Sequence, residues 1–260
     1  MAYASDGYSD GRMIVINPHS TLGKGRMRVS ENQKLEGWTP RPLPPREVLA
    51  GCYVRLEPLD PVKHGDGLYA ASSVEDAAER FLYLGDYPPA SRDEFQAWLD
   101  KASQSKDPLF FALVEIATGR VGGRQAIMRI DPANGVAEIG SIYWGPGFGR
   151  TRLATEAFHL TASLIFDQLG YRRLEWKCND RNEPSKRAAL RFGFTYEGLF
   201  RQHMVVKGES RDTAWFSIID SEWPLIRATN EAWLSAENFD REGQQRKSLQ
   251  AIRSELAQND

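Results

Sequence analysis

The chain has 260 residues, of which 41% are hydrophobic and 26% charged, with a formal net charge of −2. That is enough apolar material for a core, and it lacks the global basic field of a nucleic-acid binder. No apolar run approaches the ~20 residues that span a bilayer, and Met1-Ala2-Tyr3-Ala4-Ser5-Asp6-Gly7 has neither a basic leader nor an apolar core, so a cytosolic location is expected.

Residues 1–46 are rich in Gly, Ser, Asn and Pro and end in Thr39-Pro40-Arg41-Pro42-Leu43-Pro44-Pro45-Arg46, which predicts an extended arm wrapped over the domain. Met13-Ile14-Val15-Ile16 is apolar enough to dock as an edge strand. Cys52-Tyr53-Val54-Arg55-Leu56 alternates as a strand, and a helix is expected from Leu59 through His64, Leu68 and Ala71. Ser91-Arg92-Asp93-Glu94 reads as a serine N-cap followed by acidic residues, opening a helix with Phe95, Trp98 and Leu99 on one face. Strands are expected at 109–116 and 121–130 around Thr118-Gly119-Arg120. Asp131-Pro132-Ala133-Asn134-Gly135 then turns the chain into a strand over 136–144. Beyond Gly198, strands are expected near 199–206 and 212–219, followed by a helix with Trp223, Leu225, Ile226 and Trp233. The last stretch has only Leu249, Ile252 and Leu256 as an apolar stripe and predicts a solvated tail helix. The expected organisation is an arm (1–46), one domain (47–235) and a charged tail (236–260).

Residues 136–198 organise the rest: an apolar strand, a glycine-rich turn, a long helix, a strand, a helix and the start of another strand. A strand running through a tight turn into a helix presents unpaired N–H groups and the positive dipole end at the sheet edge, a site for a phosphate. The turn here is Gly145-Pro146-Gly147-Phe148-Gly149-Arg150, leading into Thr151-Arg152-Leu153-Ala154. Its glycines let backbone approach an anion, and Arg150 and Arg152 add charge. The turn matches neither common phosphate-loop pattern in full.

Ala137-Glu138-Ile139-Gly140, residues 149–157, and the string Asn182…Ser185…Gly193-Phe194…Glu197-Gly198 together resemble the Gcn5-related N-acetyltransferase (GNAT) superfamily, in its Rim-type, ribosomal-protein-acetyltransferase-like branch. The resemblance runs over about residues 40–220. It implies a mixed α/β domain: a central, mostly antiparallel sheet of six to seven strands with helices on both faces. It also implies acetyl-CoA as cosubstrate, no metal, and a primary amine as acceptor, either a small molecule or a protein N-terminus. The family's Q/R-x-x-G-x-G/A pattern falls on residues 149–154, where Gly149 and Arg152 depart from it and Ala154 fits. By this resemblance the cofactor contacts are backbone of Ile142, Tyr143 and Trp144 for the pantetheine arm, and Gly149, Arg150, Thr151, Arg152, Leu153 and Ala154 for the pyrophosphate. Arg152 would add a guanidinium near the phosphates, with Asn182 and Arg187 assisting.

The implied reaction needs a base for the ammonium and an acid for the leaving thiolate. Glu138, on an apolar strand, is either that base, its pKa raised by desolvation, or a strand glutamate facing a charged partner. Ser185 stands where the Rim-type branch has a serine three after the Asn, and it is either the thiolate's acid or a helix cap. Tyr143 and Tyr196 are alternative acids, and Glu175, Trp176, His203 and Trp215 are candidates to line the acceptor pocket. His19, His64, His159 and His203 show no metal-ligand spacing, and no G-x-S-x-G elbow supports a hydrolase. Cys52 and Cys178 sit in apolar patterns and are expected as two buried thiols. The basic residues Arg172, Arg173, Lys177, Arg181, Lys186, Arg187 and Arg191 suggest an RNA surface, or better the flank of a multiply phosphorylated ligand. No nucleic-acid or membrane partner is expected, and a homodimer is compatible. A non-catalytic acyl-CoA-binding module and a protein- or RNA-interaction protein remain the alternatives.

Overall fold

The computed structural model describes residues 34–258; the strand expected at Met13-Ile14-Val15-Ile16 lies outside them. Eight strands form one sheet: β1 (Leu49–Ala50), β2 (Val54–Pro58), β3 (Leu109–Glu115), β4 (Val121–Asp131), β5 (Val136–Trp144), β6 (Arg173–Asn179), β7 (Thr195–Val206) and β8 (Glu209–Ile219). Their order is β1-β2-β3-β4-β5-β6-β8-β7, antiparallel throughout except for the parallel β5–β6 pair. The two-residue β1 takes the count past the expected seven. The helices are α1 (Pro61–Ser72), α2 (Ala77–Arg80), α3 (Arg92–Gln104), α4 (Arg152–Ser163), α5 (Glu183–Phe192), α6 (Trp223–Leu234) and α7 (Leu249–Leu256), with a π-helical turn at Leu164–Gln168 extending α4.

Local chemistry sets the boundaries. Asp60 caps α1 by accepting from the Val62 and Lys63 amides, and Ser91 caps α3 by accepting from the Glu94 amide. Gly193, in the left-handed conformation, ends α5. Strand β2 starts at Val54, not Cys52: residues 52 and 53 form the bend before it, which leaves the Cys52 thiol exposed while Cys178 is buried. Both cysteines are free, and the expectation of two buried thiols fails at Cys52.

Alternation divides the core. On β3, Leu109, Phe111 and Leu113 join a large cluster under α4, α5, α6 and α7, while Phe110 and Ala112 face the opposite side with Leu68 of α1 and Phe95, Leu99 and Ala102 of α3. Burial on both faces explains the unbroken apolar run of β3. The second cluster stops at Ala126 of β4. Farther along the sheet that same face carries Glu138, Glu175, Lys177 and Trp215 in place of apolar residues. In this polar half buried carboxylates and a lysine meet, within reach of each other.

Residues 39–46 are held on the domain by hydrogen bonds: Tyr171 Oη donates to the Pro42 carbonyl, and Arg46 donates to the carbonyls of Ser103 and Ser105 at the end of α3. The C-terminal helix does not follow expectation. Leu249 and Ile252 of α7 are buried in the main core cluster, and Arg253 donates to the Arg191 carbonyl at the end of α5. Three apolar residues in eight are a sufficient stripe when the face they meet, α6 with Trp223 and Trp233, is itself strongly apolar.

Candidate active site

Strands β5 and β6 pair only at Val136↔Arg173, Ala137↔Leu174 and Glu138↔Glu175. Beyond Glu138, β5 stays with β4 as far as the Gly123↔Trp144 pair, while β6 stays with β8 as far as Asn179↔Thr213. The sheet therefore splits, leaving the facing edges of residues 139–144 and 176–179 without a strand between them. The divergence follows from a bulge: the β4–β5 register shifts between Arg124 and Ala126, and Ser141 takes a φ of 49°. Trp144 and Trp176 meet across the base of the split, ring centres 6.5 Å apart, each also packed on Phe192.

The glycine-rich turn closes one side of the split. A Cβ on Gly145 would lie 2.6 Å from the Gly122 carbonyl oxygen, so that position requires glycine. Gly149 does not: the nearest atom to an added Cβ is 3.7 Å away, and its departure from the family pattern removes a side chain without a backbone reason. Arg150 is exposed with φ 62°. Thr151 is the N-cap of α4, yet its hydroxyl donates to the Phe148 carbonyl at 2.6 Å, and no side chain caps the helix. The first amides of α4, from Arg152, Leu153 and Ala154, thus keep their donors and the dipole's positive end for a ligand.

Arg152 corrects an expectation. It has the helical backbone the turn requires, but its guanidinium lies over the Phe239 ring at 3.7 Å and over Tyr53 at 5.2 Å. It ties α4 to the C-terminal segment instead of presenting charge to the turn. The basic cluster downstream is largely spent as well. Arg173 pairs with Glu175 and Glu197, Lys177 with Glu138 and Glu175, Lys186 with Asp180 and Glu183, and Arg191 packs over Trp233. Arg187 is exposed on α5.

On the other side of the split, Asn182 caps α5 by accepting from the Ser185 amide at 3.1 Å. Ser185 is therefore not the cap. Its Oγ accepts from Trp176 Nε1 at 2.9 Å, which turns its proton away from the indole, and Ser185 opposes the upward push that burial gives the Cys178 thiol. Ser185 is a hydrogen donor held beside a sulfur. Tyr143 cannot take that role: its ring is buried against Phe81 and its hydroxyl donates to the Ala71 carbonyl. Tyr196 lies on β7 with its ring against Phe216.

Glu138 occupies the last paired position before the split. Its Oε2 lies 2.9 Å from Lys177 Nζ and 3.0 Å from Arg129 Nε. Burial raises its pKa, and Lys177 and Arg129 pull it back without cancelling the rise. Burial likewise pushes Glu175 up, but hydrogen bonds from Lys177 and Arg173 win there and hold its carboxyl below the ordinary range. Neighbouring carboxylates thus have their affinities for protons pushed apart. Of the expected pocket lining, Glu175 is one of this carboxylate pair, and Lys177 lies 3.9 Å above the Trp215 ring, against which His203 packs. Trp176 belongs to the core on the opposite face.

Reasoning from sequence missed Glu156, whose carboxylate accepts from the amides of Cys52, Tyr53 and Val54 at 2.7 Å each, and Arg211 on β8. Neither carries a local motif. Lys177 was legible as the alternate neighbour of Glu175. Among the described residues no group of histidine, cysteine or acidic side chains could hold a metal, and no helix is long and apolar enough to cross a membrane.

A sheet split after a parallel pair, with an uncapped helix start on one flank and a placed hydroxyl on the other, defines an acyl-CoA-binding transferase fold. The acetyltransferase (GNAT) domain model matches residues 54–195, and the chain belongs to the GNAT acetyltransferase family. A GCN5-related N-acetyltransferase from Brucella melitensis, known as a crystal structure, is 63% identical over 85% of this chain and all of that one, with a TM-score of 0.84. Two curated relatives are an uncharacterized N-acetyltransferase p20 from Bacillus licheniformis, 32% identical over 117 residues, and a putative ribosomal N-acetyltransferase YdaF from Bacillus subtilis, 29% identical over 106 residues. The matches cover 44% and 40% of this chain, and 63% and 57% of those relatives' lengths.

Proposed function

We propose that the protein transfers an acetyl group from acetyl-CoA to a primary amine by direct attack within a ternary complex. The observation carrying this reading is the split itself, because its two edges and the open amides of α4 offer what the cosubstrate needs. The free edge of β5 over Ile142, Tyr143 and Trp144 suits the pantetheine amides. The amides at Gly149, Arg150, Thr151, Arg152, Leu153 and Ala154 suit the pyrophosphate. When bound, the thioester supplies the activated acetyl group.

Glu138 receives the proton of the attacking ammonium, directly or through a water. Its raised pKa strengthens it as a base, while Lys177 and Arg129 oppose that rise. Ser185 hydrogen-bonds the departing thiolate and relays to it the second proton that the tetrahedral nitrogen loses, so that the serine hydroxyl is restored. Asn182 holds the start of α5, and with it Ser185, in register. Neither a metal nor a covalent enzyme intermediate enters this scheme. The putative ribosomal role of YdaF favours a protein N-terminus as one acceptor class.

The test is calorimetric titration of acetyl-CoA into the wild type and Arg150→Glu, followed by an amine screen that reads thiol release. Binding weakened by the charge reversal, and release that needs Glu138, support the reading. A wild type that binds no acetyl-CoA sinks it.

A further inference from the structure

Past the split, the ends of β6 and the β7–β8 hairpin enclose a cavity of about 810 Å³ whose walls include Asn179, Arg181, Arg201, Ser210 and Asp212. A second cavity, of about 210 Å³, shares Asn179, Arg181 and Ser210 with it and adds Lys207, Glu209 and Arg211, three cations against one carboxylate. Several charges here are engaged within the protein. Asp180 pairs with Lys186, Asp212 accepts the Gln202 amide, and Lys207 donates to the Phe81 carbonyl while lying 4.5 Å over the Tyr87 ring.

Arg211 differs from these at one buried atom. Its Nε is buried without a hydrogen-bond partner, and no carboxylate among the described residues lies within ion-pair distance of it. Burial pushes the guanidinium down, and Glu138 and Cys178 face it electrostatically from the split while Arg129 opposes it. A buried guanidinium N–H without a hydrogen-bond partner is costly unless an acceptor arrives to use it. The smaller cavity beside it has room for one such group.

From this geometry we infer that the acceptor carries a carboxylate, bound by Arg211, so that its amine reaches toward Glu138. This deepens the acetyltransferase reading and rests on it. Arg211 is then a positioning residue: it selects among amines and takes no part in the proton transfers. A bidentate guanidinium–carboxylate pair at a desolvated site also fixes orientation, which a neutral amide of the same shape cannot reproduce.

The test has two arms. In the first, succinate and neutral succinamide are titrated calorimetrically into wild type, Arg211→Gln and Arg211→Lys. Succinate is expected to bind the wild type, with affinity falling by about tenfold or more in Arg211→Gln and partly kept in Arg211→Lys, while succinamide does not bind. In the second arm, turnover compares free amino acids with their α-amides, and peptides with an acidic second residue with their carboxamide counterparts. A preference of about tenfold in kcat/KM for the carboxylate member, expressed in KM and abolished in Arg211→Gln, is the expected result. A preference among free amino acids names a small-molecule source, and one confined to peptides names a protein N-terminus. Succinate binding no better than succinamide, or equal turnover of both members of each pair, overturns the inference even if acetyl-CoA binds normally. Failure of acetyl-CoA to bind would instead strike the acetyltransferase reading, and it leaves the succinate result to judge the anion site by itself.

Discussion

Trp176 Nε1 donates to Ser185 Oγ at 2.9 Å, and this bond decides where the serine proton points. A hydroxyl with one lone pair engaged by an indole directs its hydrogen away from the ring, and the proposed mechanism uses that hydrogen for the leaving thiolate. Ser185→Ala is expected to lower kcat by roughly 10²-fold, at the lower end of general-acid effects, with acetyl-CoA affinity unchanged. Trp176→Phe keeps the ring packing, frees the serine rotor and should cost less. Stopped-flow thiol release measures both, and a Ser185→Ala enzyme with wild-type kcat would remove the serine from the reaction.

The Glu138–Lys177 pair gives a prediction in pH. A base works above its own pKa, so the acid limb of kcat/KM should lie above the ordinary glutamate range, because burial raises Glu138. Lys177 opposes that rise. Lys177→Met removes a cation from Glu138 and also frees Glu175 to repel it, so both changes push the limb upward, by about one pH unit or more. Glu138→Gln should abolish the limb along with most of the activity. A limb that stays put in Lys177→Met, or moves down, assigns the base elsewhere.

How much of this was legible beforehand depended on whether the signal was local. The caps at Asp60 and Ser91, the turn at Asn134-Gly135, and the alternation that puts Glu175 and Lys177 on one face of β6 are all written in short spacings. Arg152 looked like a phosphate ligand because its own helix placed it there, but Phe239, 87 positions later, claims its guanidinium. Long-range pairing also hid Glu156 and buried α7. Ser185 looked like a cap or an acid, and only the indole of Trp176 on β6 separates the two.

Glu156 spans that gap between sequence and fold: one carboxylate on α4 accepts three consecutive amides where the chain enters β2. Removing it orphans three donors, one of them fully buried. Glu156→Ala should destabilise by about 3 kcal/mol or more. For a chain of this size that corresponds to a fall in Tm of roughly 6–10 °C. Glu156→Gln retains one acceptor oxygen and should lose less. Calorimetric melting checks the order, and equal Tm values for wild type and Glu156→Ala would refute it.

Glu57 supplies a stability change with acid. Burial opposes ionisation of its carboxyl, but hydrogen bonds from Lys63, Arg55 and His64 win and lower its pKa from 4.5 to about 2. The folded-state value is depressed, so its contribution is fully present above pH 4.5 and is lost as pH falls toward 2. With Lys63 largely solvated, Glu57→Gln should cost about 2 kcal/mol at pH 7 and close to nothing near pH 2. Urea unfolding across that range reads the difference directly, and a penalty independent of pH would contradict the ion-pair account.

Arg150 and Arg152 stand two residues apart at the start of α4, yet the structure gives them opposite tasks. Arg152 is held over Phe239 and Tyr53, whereas Arg150 is exposed at the mouth of the turn. Arg152→Met keeps the stem packing but loses both ring contacts, so it should destabilise by about 1–2 kcal/mol and leave acetyl-CoA affinity within about twofold. Arg150→Glu keeps the fold and places a negative charge beside the open amides, so it should weaken acetyl-CoA by about tenfold with no change in Tm. Tm and calorimetric affinity, measured on both variants, must dissociate in opposite directions. If Arg152→Met lost cosubstrate affinity at unchanged Tm, its guanidinium would have to leave the two rings in the bound state, and the sequence-level expectation for Arg152 would stand.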